Sequence, residues 1–171
     1  MTSSVPAGDP AFLERLRRAF RGASLLGLAQ IGGLAVFLIV GEIIRAKKRP
    51  FFGFLSSSLT SENRIILRYA FFAAAVVLIL LLRFLHGRRL RVIGAIDDRP
   101  AALSRLFDLT VLTLCLAEIP ALLGLILFLI AGYNRDFYIL LFVSLFLLFM
   151  YLPRLKNWED ILEHRPPACP L

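Results

Sequence analysis

"LTLCLAEIPALLGLILFLI", residues 112–130, decides how the chain is read. Wound as a helix it would extend about 28 Å, close to the roughly 30 Å hydrocarbon thickness of a bilayer. It carries one carboxylate, Glu118, and a helix breaker, Pro120, two places on. The whole 171-residue chain is rich in apolar residues: 58% are hydrophobic, 15 are Phe, and mean hydropathy is +0.77. Soluble domains hold roughly 45–50% apolar residues, so the composition is that of an integral membrane protein.

Working outward from this stretch, four segments have the length and composition of transmembrane helices: about 24–44, 65–85, 106–131 and 137–152. The fold class is therefore all-α, a bundle of four transmembrane helices within a single membrane domain covering 1–171. The fourth span is short, but Phe137, Tyr138, Phe149, Tyr151 and Trp158 give it aromatic ends suited to headgroup depth. A basic segment, 1–23, precedes the first span; no A-x-A pattern follows it, so a retained helix is expected rather than a cleaved signal. After Pro153, Leu155, Trp158, Ile161 and Leu162 recur near helical spacing, which predicts an amphipathic surface segment over 153–171.

The connections carry their own signals. "GYNRD" (132–136) is short enough to force the third and fourth helices into an antiparallel hairpin. "DDRP" (97–100) predicts a helix start, with Asp97 or Asp98 as the cap and Pro100 in the first turn. "PFFGFLSSSLTSENR" (50–64) reads as an interfacial loop dipping toward headgroups.

The net charge of +8 comes from 20 Lys and Arg residues set in short clusters around the apolar runs. That is the pattern of membrane anchors, and no aromatic-basic interleaving or zinc spacing points to nucleic acid. Counting by side, Arg15, Arg17, Arg18, Arg21, Arg83, Arg88, Arg89, Arg91, Arg99, Arg105, Arg154, Lys156 and Arg165 oppose Arg45, Lys47, Lys48, Arg49, Arg64, Arg68 and Arg135. The excess predicts cytoplasmic termini and residence in the cell inner membrane, against the pull of "RAKKR" (45–49). Cys115 and Cys169 form no disulfide or metal framework, and no cofactor is expected. His86 and His164 lie in charged flanks without partners and Ser144 stands alone, so the expectation is a protein that is not an enzyme.

In the first span, "GASLLGLAQIGGLA" (22–35) sets Ala29 and Gly33, and Ala23 and Gly27, at small-xxx-small spacing. Helices in lipid associate through such close approaches, so this helix is expected to pack centrally. Glu42 with Arg45, and Arg105 with Asp108, have the spacing of surface ion pairs, while Arg68 and Arg83 can snorkel from the ends of the second span.

A charge at the bilayer centre costs about 2.5–3.5 kcal/mol on insertion scales, so Glu118 must be neutralised, paired or hydrated. It stands about 18 Å from the far end of its helix. The same count from Ile44 reaches Gly32, near Gln30, and from Phe137 reaches Phe149, near Tyr151. Gln30, Glu118 and Tyr151 are thus expected at similar depth, the amide and phenol bonding the carboxyl. Pro120 has no N–H, which kinks the helix and frees the Leu116 carbonyl. Such a group could hold a proton or a small cation; equally, a protonated Glu118 could simply join two helices.

"AEIPALLGLIL" (117–127) resembles the carboxylate helix of rotor-ring proteolipids, the c or K subunits of rotary ATPases. Glu118, followed by Gly124 and Leu125, falls where those helices carry their ion-binding acid, and Gln30 is similar to the glutamine that assists it in some cation-binding rings. The resemblance implies that Glu118 would be the ion carrier, with Ile119, where a hydroxyl residue would favour sodium, pointing to a proton. The whole chain resembles a four-helix bacterial inner-membrane protein that shares this helix more than an orthodox rotor subunit. The expected role is a membrane assembly or scaffold component contacting the lipid bilayer and either a second copy of itself or other subunits of a membrane complex. A proton-coupled carrier and a small-solute transporter subunit are the alternatives.

Overall fold

Long apolar stretches without internal punctuation wind into helices that outrun a bilayer. The computed structural model describes residues 10–48, 51, 53–55, 60–94, 96, 98–155 and 158, and in these the chain forms α1 (Pro10–Lys47), α2 (Ser61–Gly94), α3 (Arg99–Ala131) and α4 (Asn134–Tyr151). The first three, at 38, 34 and 33 residues, extend about 50–57 Å. Their ends must project beyond the hydrocarbon, whereas α4, at 18 residues, covers only about 27 Å. All four are long and apolar enough to cross a membrane, and the chain is a multi-pass membrane protein.

The helix ends follow local chemistry. Pro10 opens α1, where its missing N–H is not needed, and Arg45 and Lys47 sit in the last turn beside the negative end of the helix dipole. Asp98 takes the N-cap position of α3 with an extended backbone, but its side chain makes no capping bond; Asp97 lies outside the described residues. At the far end Gly132 adopts φ 74°, donating its N–H to Phe128 O at 2.8 Å. α4 begins two residues later, and the hairpin closes as expected.

α3 is the central helix: 44% of its most apolar window is buried inside the bundle, against 22% for α1 and 11% for α2. This differs from the expectation that the first helix packs centrally. The small residues that let helices approach closely are Ala117, Ala121 and Gly124 on α3, all buried. A Cβ on Gly124 would lie 2.9 Å from Leu140 Cβ and 3.2 Å from the Phe137 carbonyl, so α3 and α4 meet backbone to backbone there. α1 packs on α3 and, less extensively, α4; α2 packs on α3; α1 and α2 share no substantial interface.

Two connections pack onto the bundle in their described parts. The described part of the α1–α2 loop lies across the end of α3: Phe54 N donates to Leu129 O at 2.8 Å and Leu55 N to Ile130 O at 3.2 Å. These carbonyls have no donor within their own helix, so the loop completes a helix end, with the Phe54 and Leu55 side chains left exposed. Phe51 then packs on Phe128, with ring centroids 5.0 Å apart. At the opposite end Trp158 is buried and meets Phe20 edge-on at 6.0 Å, so the described start of the tail folds onto the bundle. Ile161, Leu162 and the remainder of that segment lie outside the described residues.

The ion pairs also differ in part. Glu42 and Arg45 pair at 3.4 Å, exposed as expected. Arg105 and Asp108 are both exposed and form no ion pair with each other. Arg68 does not snorkel freely: its Nε lies 2.7 Å from Asp136 Oδ2, and its Nη2 donates to Oδ1 at 2.9 Å.

Candidate functional site at the intramembrane carboxylate

α1 and α3 run side by side in the same direction, in a register readable from their small residues. Gly22 faces Phe107, and a Cβ on Gly33 would stand 3.1 Å from Glu118 Oε1. Glu118 is half-buried and packs against this glycine, so closely that an added Cβ would make the carboxyl shift by a few tenths of an ångström. One turn toward the termini, buried Gln30 donates from Nε2 to Cys115 Sγ at 3.6 Å. Its carbonyl oxygen, Oε1, is buried and has no hydrogen-bond partner. Glu118 likewise takes no side-chain hydrogen bond among the described residues.

The structure therefore brings Gln30, Gly33 and Glu118 to one α1–α3 seam but sends Tyr151 elsewhere. The hairpin turn explains the difference. α4 already begins at Asn134, so Phe137 stands opposite Gly124, well inside the bundle, and a depth count started at Phe137 runs too far. The level of Glu118 on α4 belongs to Ser144, fully buried, whose hydroxyl donates to the Ala117 carbonyl. Tyr151 lies nearer the termini, its ring edge-on to His86 at 4.9 Å, beside a chamber of about 120 Å³ that Thr110, Thr113 and Arg154 also line. Ser144 was within reach of the sequence, since residues of a tight hairpin pair symmetrically about its turn.

Pro120 is buried at the α3 interface and, lacking an N–H, leaves the Leu116 carbonyl without its i+4 donor. α3 nonetheless continues unbroken through it. Of the small residues of α1, Gly27 is buried against Leu152 and Leu114, Ala23 is fully buried, and Ala29 is exposed. The same outward side of α1 carries Gly32, around which an added Cβ would meet nothing within 4 Å.

These placements define an open seam. Cys115, Leu122 and Ile126 of α3 are exposed along the side left uncovered between α1 and α2, with Glu118 at its edge. At mid-helix the seam itself offers the half-buried Glu118 carboxyl and the exposed Cys115 thiol, with the Gln30 amide oxygen buried behind them. Oxygen acceptors outnumber donors here, which suits a hydrogen-bond donor or a proton supplied from outside the chain. No protein-family model, curated protein or solved structure matches the chain. Among the described residues, no group of three or more His, Cys, Asp or Glu side chains could hold a metal ion.

Proposed function

We propose that this protein is a non-catalytic assembly component of the cell inner membrane, with both termini cytoplasmic, that holds another membrane-spanning helix against the open seam of α3. The observation that carries the reading is the pair of unsatisfied acceptors, Glu118 and Gln30 Oε1, beside exposed apolar positions of α3. A buried amide oxygen without a donor costs about 1–3 kcal/mol, and a carboxyl among lipid tails costs more. A partner helix bearing a hydroxyl, amide or amine at this depth would relieve Glu118, and a turn of the Gln30 side chain would bring its amide oxygen to the same donor. The small outward residues Ala29 and Gly32 support close approach of a second backbone.

The test is the mass of the particle extracted from native membranes in mild detergent. Glu118→Gln keeps hydrogen-bonding capacity and is expected to leave the assembly intact; Glu118→Leu is expected to release the partner while the four-helix fold persists. The alternative role, a proton carrier resembling a rotor-ring subunit, draws on the same unpaired carboxyl. It predicts instead that a carboxyl-reactive carbodiimide labels Glu118 selectively and that Glu118→Gln abolishes function with the assembly unchanged. A particle of single-chain mass that Glu118→Leu does not alter would defeat the assembly reading.

A further inference from the structure

The N-terminal parts of α1 and α3 part to leave a cleft of about 420 Å³, distinct from the carboxylate seam. Its walls are apolar: Phe12 and Ala19 from α1, Leu103 and Phe107 from α3. Gly22 keeps its inner end open, since a Cβ there would come no nearer than 3.7 Å to Phe107. Its mouth is cationic. Arg15 and Arg18 line it and are exposed, and Ser104 adds a hydroxyl.

Depth decides what such a cleft meets. The apolar run of α1 from Ala23 to Gly41 centres on Gly32. Gly22 then lies about 15 Å from the midplane, at the edge of the hydrocarbon, and Arg18 about 21 Å from it, among headgroups. The slot thus begins at the hydrocarbon edge, at Gly22 and Phe107, and its arginines stand at headgroup depth, with Phe12 beyond them. Arg15 has no carboxylate partner among the described residues. Arg18 pairs with Glu14 at 2.6 Å, but both side chains are largely exposed, at 74% and 65%, and an ion pair of that kind holds weakly against a phosphate.

We propose that this cleft binds one anionic phospholipid of the bilayer, the first carbons of an acyl chain lying against Gly22 and Phe107, the glycerol against Ala19 and the phosphate held between Arg15 and Arg18. Basic pockets between membrane helices recognise lipid headgroups by this combination of charge and shape. The site stands independently of the partner helix proposed above.

Native mass spectrometry of the full chain, titrated with phosphatidylglycerol or with phosphatidylcholine of the same acyl chains, tests it. The expected result is one retained phosphatidylglycerol, with phosphatidylcholine held far more weakly. Arg15→Gln with Arg18→Gln should weaken phosphatidylglycerol about thirtyfold, from the attraction typical of two arginines at an anionic surface. Gly22→Leu, which fills the slot and keeps every charge, should remove it as well; Ser104→Phe fills the same slot from α3 should Gly22→Leu not fold. Arg88→Gln with Arg89→Gln, at the same end of the bundle, should change nothing. Equal retention of phosphatidylcholine, undiminished binding in a folded slot-filling variant, an equal loss in the Arg88 and Arg89 variant, or displacement by stoichiometric glycerol phosphate would overturn the proposal.

Discussion

The two ends of this bundle are built on opposite plans. At the loop end polar groups join one helix to another, although Lys47, Glu62 and Arg135 stay exposed and unpaired among the described residues. Arg68 grips buried Asp136 with both branches of its guanidinium. Tyr138 donates to Glu42, which also pairs with Arg45, and Lys48 lies 4.5 Å above the Phe54 ring. The loop completes the end of α3, over stacked Phe128 and Phe137. At the end carrying the termini, exposed Arg15, Arg17, Arg21, Arg88, Arg89 and Arg105 have no carboxylate partner among the described residues, and a cleft stands open between α1 and α3. One end is closed upon itself, and the other is left for headgroups. The difference teaches that charge in this chain has two settings: at one end it joins helices to one another, at the other it is left exposed.

The comparison can be broken most forcefully at the Arg68–Asp136 pair. Arg68→Ala strands a carboxylate that is 3% exposed, and should cost about 3–5 kcal/mol in reversible unfolding in bicelles. Asp136→Ala should cost less, because Arg68, at 42% exposure, can turn its charge toward the headgroups. Equal losses from the two substitutions would remove the asymmetry on which this reading depends.

Next comes Gly53. Its φ of 94° lies in the left-handed region, and a Cβ would be driven into the Ile130 carbonyl oxygen and to 2.6 Å from Gly132 N. Gly53→Ala should destabilise by about 2–3 kcal/mol and raise hydrogen exchange at Phe54 and Leu55, while amides near Arg15 and Arg18 remain as they were. Exchange that rises equally at both ends would show the ends to be one cooperative unit.

A smaller effect is expected at the middle of the bundle. Ser144→Ala removes the hydroxyl that bonds Ala117 O, and should cost about 0.5–1.5 kcal/mol in the same unfolding assay. Smallest of all, Glu118→Gln should alter the stability of the isolated chain by less than about 0.5 kcal/mol, since Glu118 makes no side-chain hydrogen bond among the described residues. A loss comparable to that of Arg68→Ala would mean that the carboxyl is a structural tie.

How much of this was legible in the sequence differs from element to element. The four spans follow from apolar runs, and the α3–α4 hairpin from "GYNRD", because bilayer thickness and turn length are local constraints. Depth counting along parallel α1 and α3, where a shared offset is preserved, set Gln30 within a turn of the Glu118 level, but the amide meets Cys115 while the carboxyl lies against Gly33. The count failed for Tyr151, because its level depends on where α4 begins, and Gly132 and Tyr133 set that start several residues before Phe137. The pairing of Arg68 with Asp136, and the descent of Gly53 onto the end of α3, join residues far apart in the chain. Nothing in their neighbours announces them. The central place of α3 was visible in hindsight in Ala117, Ala121 and Gly124, a small-residue stripe within the same stretch that carries the carboxylate.

The account stands most directly on what covers α3 between α1 and α2 in the native membrane. A photo-crosslinking side chain placed at Leu122, on the open seam, and separately at Phe146, exposed at 68% on α4, can be activated in intact membranes. The expected outcome is a single protein adduct of defined mass from Leu122, lost in Glu118→Leu and retained in Glu118→Gln, with lipid adducts alone from Phe146. Lipid adducts alone from both positions would contradict it.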